Sequence, residues 1–369
     1  MAKPKQKKSE EETTQGIRYT GSKKDIIPKI YDTIKDLEIK NVLDGFAGTT
    51  RVGQFFKKNN YNVDSNDLAI YSKVFGDCYL MNNLDKSHFQ SKIDHLNNLT
   101  GYEGWYTQSY GGIVGKNKSA VQADNKKRPW QKHNTMKLDA IRDEIDVIAQ
   151  NEIEKSILIT SLILALDKVD NTLGHQVSYL KAWSQRSSNI MKLEVPNLIV
   201  NNGIYNIYQD DIFNLKKPYD LTYLDPPYGT NNKVTVTTRV RYASYYHIWS
   251  TICKNDKPKL IGKALRREDV SSDTLPGAIS VFESTKYDVV LKSFEDLIEN
   301  LNSRYILVSY NNKSKIKIED LEILFSKYKS LKTISFEHKE NVQKSLTSNK
   351  EWLGDQGKNL EYLFLIEKN

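Results

Sequence analysis

The chain is poor in the residues that would tie it to an oxidising compartment or a metal. Its 369 residues include two cysteines, Cys78 and Cys253, too few and too far apart for a disulfide framework or a thiolate metal site. No apolar run approaches the roughly 20 residues of a membrane-spanning helix, and mean hydropathy is -0.60. Nothing at the start reads as a secretory signal. The expectation is a cytoplasmic chain with no membrane contact and no metal. Proline is scarce, nine in all, so an adjacent pair at 226 and 227 stands out. What the chain has is charge: 54 Lys and Arg against 46 Asp and Glu, a formal balance of +8. That suits a polyanionic partner, although net charge speaks about association and not about fold. Length and 38% apolar content allow a sizeable core and two domains.

The proline pair sits in Asp225-Pro226-Pro227-Tyr228, directly after Asp220-Leu221-Thr222-Tyr223-Leu224. The preceding run is short, apolar and β-favouring. It stops where two prolines forbid further ladder bonds and fix an extended turn. In an open α/β sheet, ligands bind just beyond the carboxyl ends of strands. The strand therefore presents an acid, a stiff turn and an aromatic ring where chemistry would sit.

In chain order, residues 1–15 mix Lys and Glu with no apolar period and read as a disordered tail. Ile26, Ile27, Ile30 and Ile34 then recur at helical spacing within Lys23–Lys35, preceded by Tyr19-Thr20-Gly21-Ser22. Val42-Leu43-Asp44 followed by Gly45-Phe46-Ala47-Gly48-Thr49-Thr50 reads as strand, small-residue turn and helix start. Such a turn lets backbone approach a ligand. It is neither a phosphate loop, lacking Gly-Lys-Ser/Thr, nor a full dinucleotide fingerprint, because Thr50 stands where a glycine belongs. Tyr61 to Asp67 is a second strand ending in an acid, placed either to cap a helix or to accept ribose hydroxyls.

From residue 68 to 197 the pattern turns helical, with 3.6-residue periodicity over Met136–Gln150, Asn151–Asp167 and roughly His175–Arg186. It is interrupted by a basic, aromatic loop from Gly101 to Lys137, which holds seven Lys or Arg against two acids. A second basic stretch, Thr230 to Arg267, has nine cations against Asp256 alone. Strands resume at Ile204–Tyr208, Tyr305–Tyr310 and Leu360–Ile366, with a helix over Tyr287–Leu301. The expected organisation is an α/β catalytic domain from 16–67 and 198–369, interrupted by a helical DNA-recognition module, 68–197.

Tyr19-Thr20-Gly21-Ser22-Lys23, Asp44-Gly45-Phe46-Ala47-Gly48, Asn66-Asp67, Asp210-Asp211-Ile212-Phe213 and Asp225-Pro226-Pro227-Tyr228 come in an order that resembles the Dam-type DNA adenine methyltransferases, especially their restriction-modification members. The likeness runs from about Gly16 to Ile366. It implies a Rossmann-like S-adenosyl-L-methionine-dependent methyltransferase sheet with an inserted target-recognition module. By the same resemblance Asp44, Phe46, Ala47 and Gly48 would line the cofactor, Asp67 would hold its ribose, and Asp211 would bond its adenine. Tyr19 and Lys23 would lie near its methionine end and the DNA. Asp225, Pro226, Pro227 and Tyr228 would be the catalytic set. The family often has a glycine where Thr50 stands, which bears on the local backbone path. A restriction endonuclease sharing the recognition sequence without stable binding would be the companion of such an enzyme.

The tetrapeptide suits that chemistry on physical grounds. The lone pair of an exocyclic adenine nitrogen is delocalised into the ring. Acceptors on both of its hydrogens, the Asp225 carboxylate and the Pro226 carbonyl, favour a tetrahedral nitrogen that can attack a methyl group. The base must leave the duplex to be reached. Double-stranded DNA would be gripped by Lys126, Lys127 and Arg128 in the loop, and by Arg239, Arg241, Arg266 and Arg267 nearer the base. Two other readings share the tetrapeptide: methylation of RNA or of a protein glutamine amide, and an inactive scaffold that only binds DNA.

Overall fold

The computed structural model describes residues 14–227, 241–271, 280–337 and 358–368. The expected tail up to residue 13, Tyr228 and Arg239 lie outside these. Gln15, assigned to the tail, is docked: its amide donates to Gln54 Oε1 at 2.9 Å, and the Gln54 amide nitrogen donates back to its carbonyl at 2.8 Å.

Among the described residues, seven strands form one sheet in the order Ser330–Glu337, Leu360–Glu367, Ser303–Asn311, Tyr219–Leu224, Asn41–Asp44, Asn62–Asn66, Tyr205–Tyr208. Leu360–Glu367 runs against both neighbours, and the remaining pairings are parallel. The alternation of strand side chains explains both faces. Val42, Val63, Leu221, Tyr223, Leu307 and Leu363 point to a layer that holds Ile30, Ile34 and Phe56 from the helices Ile27–Ile34 and Arg51–Lys58. Leu43, Leu224, Ile306, Val308, Phe364 and Ile366 point the other way. There they meet Phe294, Leu297 and Ile298 of Tyr287–Asn300 and Leu321 and Phe325 of Ile318–Phe325. This double covering is why the inner strands read as nearly continuous apolar runs. The outermost strand, Ser330–Glu337, gave no such signal because an edge strand is solvated on several sides and stays polar.

Asn41–Asp44 pairs with Asn62–Asn66 on one side and with Tyr219–Leu224 on the other, so the strand order reverses direction beside it. A reversal of this kind leaves a crevice at the carboxyl ends of the two central strands. Pro28 falls in the first turn of its helix, where its missing N–H costs nothing, and Lys23–Asp25 forms a separate short 3-10 turn before it.

A third apolar cluster binds the helices Ile70–Gly76, Ser87–Asn98, Lys132–Ile148 and Glu152–Val169. It also takes in Tyr246, Trp249, Ile252 and Leu265, so its core draws on chain beyond the expected 68–197 segment. The basic loop is not an open one. Tyr106, Tyr110 and Trp130 are buried in this cluster, and the Trp130 indole N–H donates to the Leu166 carbonyl at 3.0 Å.

The helix expected over His175–Arg186 is absent, apart from a 3-10 turn at Gln185–Ser188. Tertiary pairing takes its backbone groups instead. Ala120 N–H donates to the Lys181 carbonyl and Trp183 N–H to the Lys118 carbonyl, both at 2.8 Å. Fully buried Asn171 completes the arrangement: its side-chain oxygen accepts from Ser184 N–H at 2.9 Å, and its amide nitrogen donates to the Ala182 carbonyl at 3.2 Å. Asn171→Ala should leave these groups without partners and destabilise the protein by about 1–3 kcal/mol, read as a lower denaturant midpoint. An unchanged midpoint would show that the segment is held by its backbone pairing alone.

Candidate active site

The crevice is a cavity of about 380 Å³. Its wall combines Tyr19 and Lys23 with Asp44, Gly48, Asp67 and Asp225, residues spread over two hundred positions of sequence. A smaller recess beside it is lined by Phe46, Asp211, Phe213 and Phe282 and shares Phe46 and Asp67 with the main cavity. The structure therefore gathers most of the expected cofactor and catalytic residues at one end of the sheet.

The small-residue turn is built by close approach. A Cβ on Gly45 would come within 3.0 Å of the Ile212 and Leu224 side chains, and one on Gly48 would press the Tyr19 ring at 3.2 Å. Gly48 also has φ +51°. Thr50 follows with φ 57° while fully buried. A β-branched residue is strained there, and that local shape is one a glycine adopts freely. Thr50 is held there by its N–H, which donates to the Ala47 carbonyl, and by its own carbonyl, which starts the next helix by accepting from Gln54 N–H.

Asp67 holds backbone on the cavity wall through both carboxylate oxygens. Its Oδ1 accepts from Ala69 N–H at 2.9 Å and its Oδ2 from Gly48 N–H at 2.8 Å, so it caps one turn and ties down the other on the cavity wall. Burial raises its pKa against the effect of these amides. Asp211 caps the 3-10 turn Ile212–Asn214 by accepting from Phe213 N–H at 3.1 Å, and its carboxylate stays exposed at the small recess. Asp44 is buried at the end of its strand. Its Oδ2 accepts from Gly53 N–H at 3.0 Å, whereas Oδ1 has no hydrogen-bond partner among the described residues. Burial pushes its pKa up to about 8, with Gly53 opposing and Asp225 and Asp67 adding to the rise.

Asp225 emerges at the end of Tyr219–Leu224 and pairs with the buried ammonium of Lys23 at 2.9 Å. Lys23 pairs equally with Glu361 at 3.1 Å. Burial alone would lower the lysine pKa; the two carboxylates outweigh it and hold the amine above its ordinary value. Tyr19 lies on Tyr246 with ring centroids 4.4 Å apart and planes 18° from parallel. The Tyr246 hydroxyl accepts from Thr20 N–H at 2.7 Å, so Tyr246 serves to pack the Tyr19–Lys23 turn. Tyr71, Tyr242, Phe282 and Glu361 were not singled out from sequence. Glu361 had one legible signal, an acid inside the apolar run Leu360–Ile366.

The basic residues divide. Lys126 and Lys127 are half-exposed on the loop. Arg128 is buried against Gly112, and its guanidinium pairs with Asp124 at 2.9 Å. In the two-stranded hairpin Leu260–Ile261 with Arg266–Arg267, alternate side chains face opposite ways. Arg266 is half-exposed, whereas Arg267 is buried between Asp256 at 2.6 Å and Asp269 at 2.7 Å. Arg128 and Arg267 thus have structural ion pairs that the count of cations could not foresee. Arg241 is half-buried and precedes the helix Tyr242–Tyr245.

No described helix is long and apolar enough to cross a membrane. The description D12 class N6 adenine-specific DNA methyltransferase matches residues 19–306 of this chain. The chain is 31% identical to the modification methylase StsI of Streptococcus sanguinis over 333 residues, 85% of this chain and 46% of that protein. It is 29% identical to the modification methylase LlaI of Lactococcus lactis subsp. lactis over 367 residues, 96% and 55% of the two chains. With the type II methyltransferase M.FokI of Planomicrobium okeanokoites it shares 27% over 373 residues, 96% and 53%. The chain spans about half the length of each of these relatives.

The Asp44 environment predicts a pH dependence. Its carboxyl binds a proton more readily folded, near pH 8, than at the ordinary value of 3.8. Between those limits the folded state holds more protons, so this residue's contribution to stability falls as pH rises. Asp44→Asn should remove that slope, and its thermal midpoint relative to the parent should climb from pH 4 to pH 8. A constant difference would place the Asp44 carboxyl in an ordinary solvated state.

Proposed function

The chain belongs to the D12 class N6 adenine-specific DNA methyltransferases, and we propose that it methylates the exocyclic amino nitrogen of an adenine turned out of duplex DNA. The observation that carries this reading is the position of Asp225. A strand-end carboxylate, followed by two prolines, opens onto a cavity at the reversal point of the sheet.

The cavity and its side recess fit S-adenosyl-L-methionine in the character of their walls. Gly45 and Gly48 bring backbone close where a Cβ would crowd its neighbours, and the recess is lined by Phe46 and Phe282 beside the exposed Asp211 carboxylate. Asp44 Oδ1 supplies a buried oxygen without a described partner. Tyr19, Lys23, Phe46, Ala47, Gly48 and Asp67 complete the proposed holding set. When bound, the cofactor would supply the electrophilic methyl group.

The protein's part is to make an amino nitrogen nucleophilic and to hold it still. Asp225 accepts from one N–H and stabilises the positive charge that develops on the nitrogen. The Pro226 carbonyl accepts from the other N–H. The prolines keep both acceptors fixed with the strand. Tyr228 would stack on the base. A cytoplasmic setting and a companion restriction endonuclease belong to this reading too.

Asp225→Ala should abolish methyl transfer and leave equilibrium binding of cofactor and DNA within roughly tenfold. Transfer near the parental rate would defeat the mechanism. Parallel assays on duplex DNA, RNA and protein decide the substrate class, and incorporation into RNA or protein alone would replace this reading. For DNA grip, we assign phosphate contact to Lys126 and Lys127. Alanine at either should weaken cognate and scrambled duplexes alike and make log K against log salt shallower by about one per lost contact. Selective loss on the cognate duplex would assign them to base edges instead.

A further inference from the structure

We propose that Glu361 is a positioning residue for the Asp225 carboxylate, acting through the ammonium of Lys23. This rests on the reading of Asp225 as the acceptor of the target amino group. Glu361 is the second residue of Leu360–Glu367, which runs against both of its neighbours in the large sheet. It therefore enters the sheet at the edge where the parallel strands leave, opposite Asn311. Its side chain is buried. Oε1 accepts from Ser309 Oγ at 2.7 Å and from Lys23 Nζ at 3.1 Å, and Oε2 accepts from Asn311 Nδ2 at 3.3 Å. Donors from two elements thus hold both carboxylate oxygens.

An ammonium is a compact charge on a flexible stem, and its position is set by what it pairs with. Held by Glu361, Lys23 offers Asp225 Oδ1 a partner at a fixed point, 2.9 Å away. With Oδ1 anchored in this way, Asp225 keeps its orientation as an incoming amino group reaches the carboxylate. Charge matters as well as place. Among these three groups Lys23 carries one positive charge against two negative ones; with Glu361 neutral, Lys23 would be left to Asp225. A fully compensated Asp225 would stabilise positive charge on the reacting nitrogen less well. Among the described residues, charged and titratable groups facing Asp225 include Lys23, Asp44 from the adjacent strand, Tyr223 from its own strand and Tyr242 from the helix beyond. Glu361 stands behind Lys23.

The test uses the full chain, duplex DNA carrying the methylatable site and radiolabelled S-adenosyl-L-methionine, with single-turnover rates across pH. Glu361→Gln keeps the shape and removes the charge. The expected result is a rate lower by about tenfold to a hundredfold, the scale of losses from small misplacement, with cofactor and DNA dissociation constants changed by less than about twofold. Removing a like charge also lowers the pH at which Asp225 gains a proton, so the acid limb of the profile should move to lower pH. A loss of fold stability alone would not move that limb. In a Lys23→Met background the same substitution should cost almost nothing further, because the link it acts through is gone. Should Glu361→Gln fail to fold, Ser309→Ala loosens the same carboxylate and should lower the rate while leaving the acid limb near its parental place, because the Glu361 charge remains. A folded variant with the parental rate and profile, or losses that multiply in the Lys23→Met background, overturns the inference. If Asp225→Ala is inactive while Glu361→Gln behaves as the parent, only this inference fails; if Asp225→Ala is active, the underlying reading fails first.

Discussion

The constraint on which the site depends is the gathering of buried and half-buried carboxylates at one edge of a sheet. Asp44, Asp67 and Asp225 follow from parallel strands that end together, and Glu361 joins them because its strand runs the opposite way. Desolvated like charges repel, and each must be neutralised, hydrogen-bonded or paired. The structure uses all three means. Asp44 takes up a proton more readily, Asp67 accepts two backbone amides, and Asp225 and Glu361 share Lys23.

Lys23 arrives from a turn that precedes the first strand, so the N-terminal stretch must cross the carboxyl edge before the sheet is complete. Several contacts fix that crossing. Arg18 pairs with Asp167 at 3.1 Å, at the end of the helix Glu152–Val169, and Arg51 donates to the Gly16 carbonyl at 3.0 Å. Tyr19 is stacked on Tyr246. The same few residues therefore join the helical layer, the sheet and the cavity wall. Substitutions in the crossing would be felt in the helical layer and in the site together.

The basic segments show how far composition can mislead. Lysines and arginines crowd residues 101–137 and 230–267, yet Arg128 and Arg267 are buried with carboxylate partners. A cation count records charge but not what faces it. Trp130, a ring beside the same cations, is buried in the helical core.

Much of the fold was legible because the parallel strands are buried on both faces and carry continuous apolar runs, as in Tyr219–Leu224 and Ser303–Asn311. The motif order was also legible, because each site residue falls at a strand end or helix start that local sequence marks: Asp44, Asp67 and Asp225 before turns, and Asp211 before its 3-10 turn. Two kinds of feature were not. Ser330–Glu337 and the stretch 175–186 owe their form to pairing with distant chain, and local periodicity has no access to such partners. Glu361 gains its place only when a reversed strand brings it 338 residues back to Lys23. The sequence by itself determined which residues end each strand. Tertiary structure decided which of those ends face one another, because pairing of charges depends on distance in space and not along the chain.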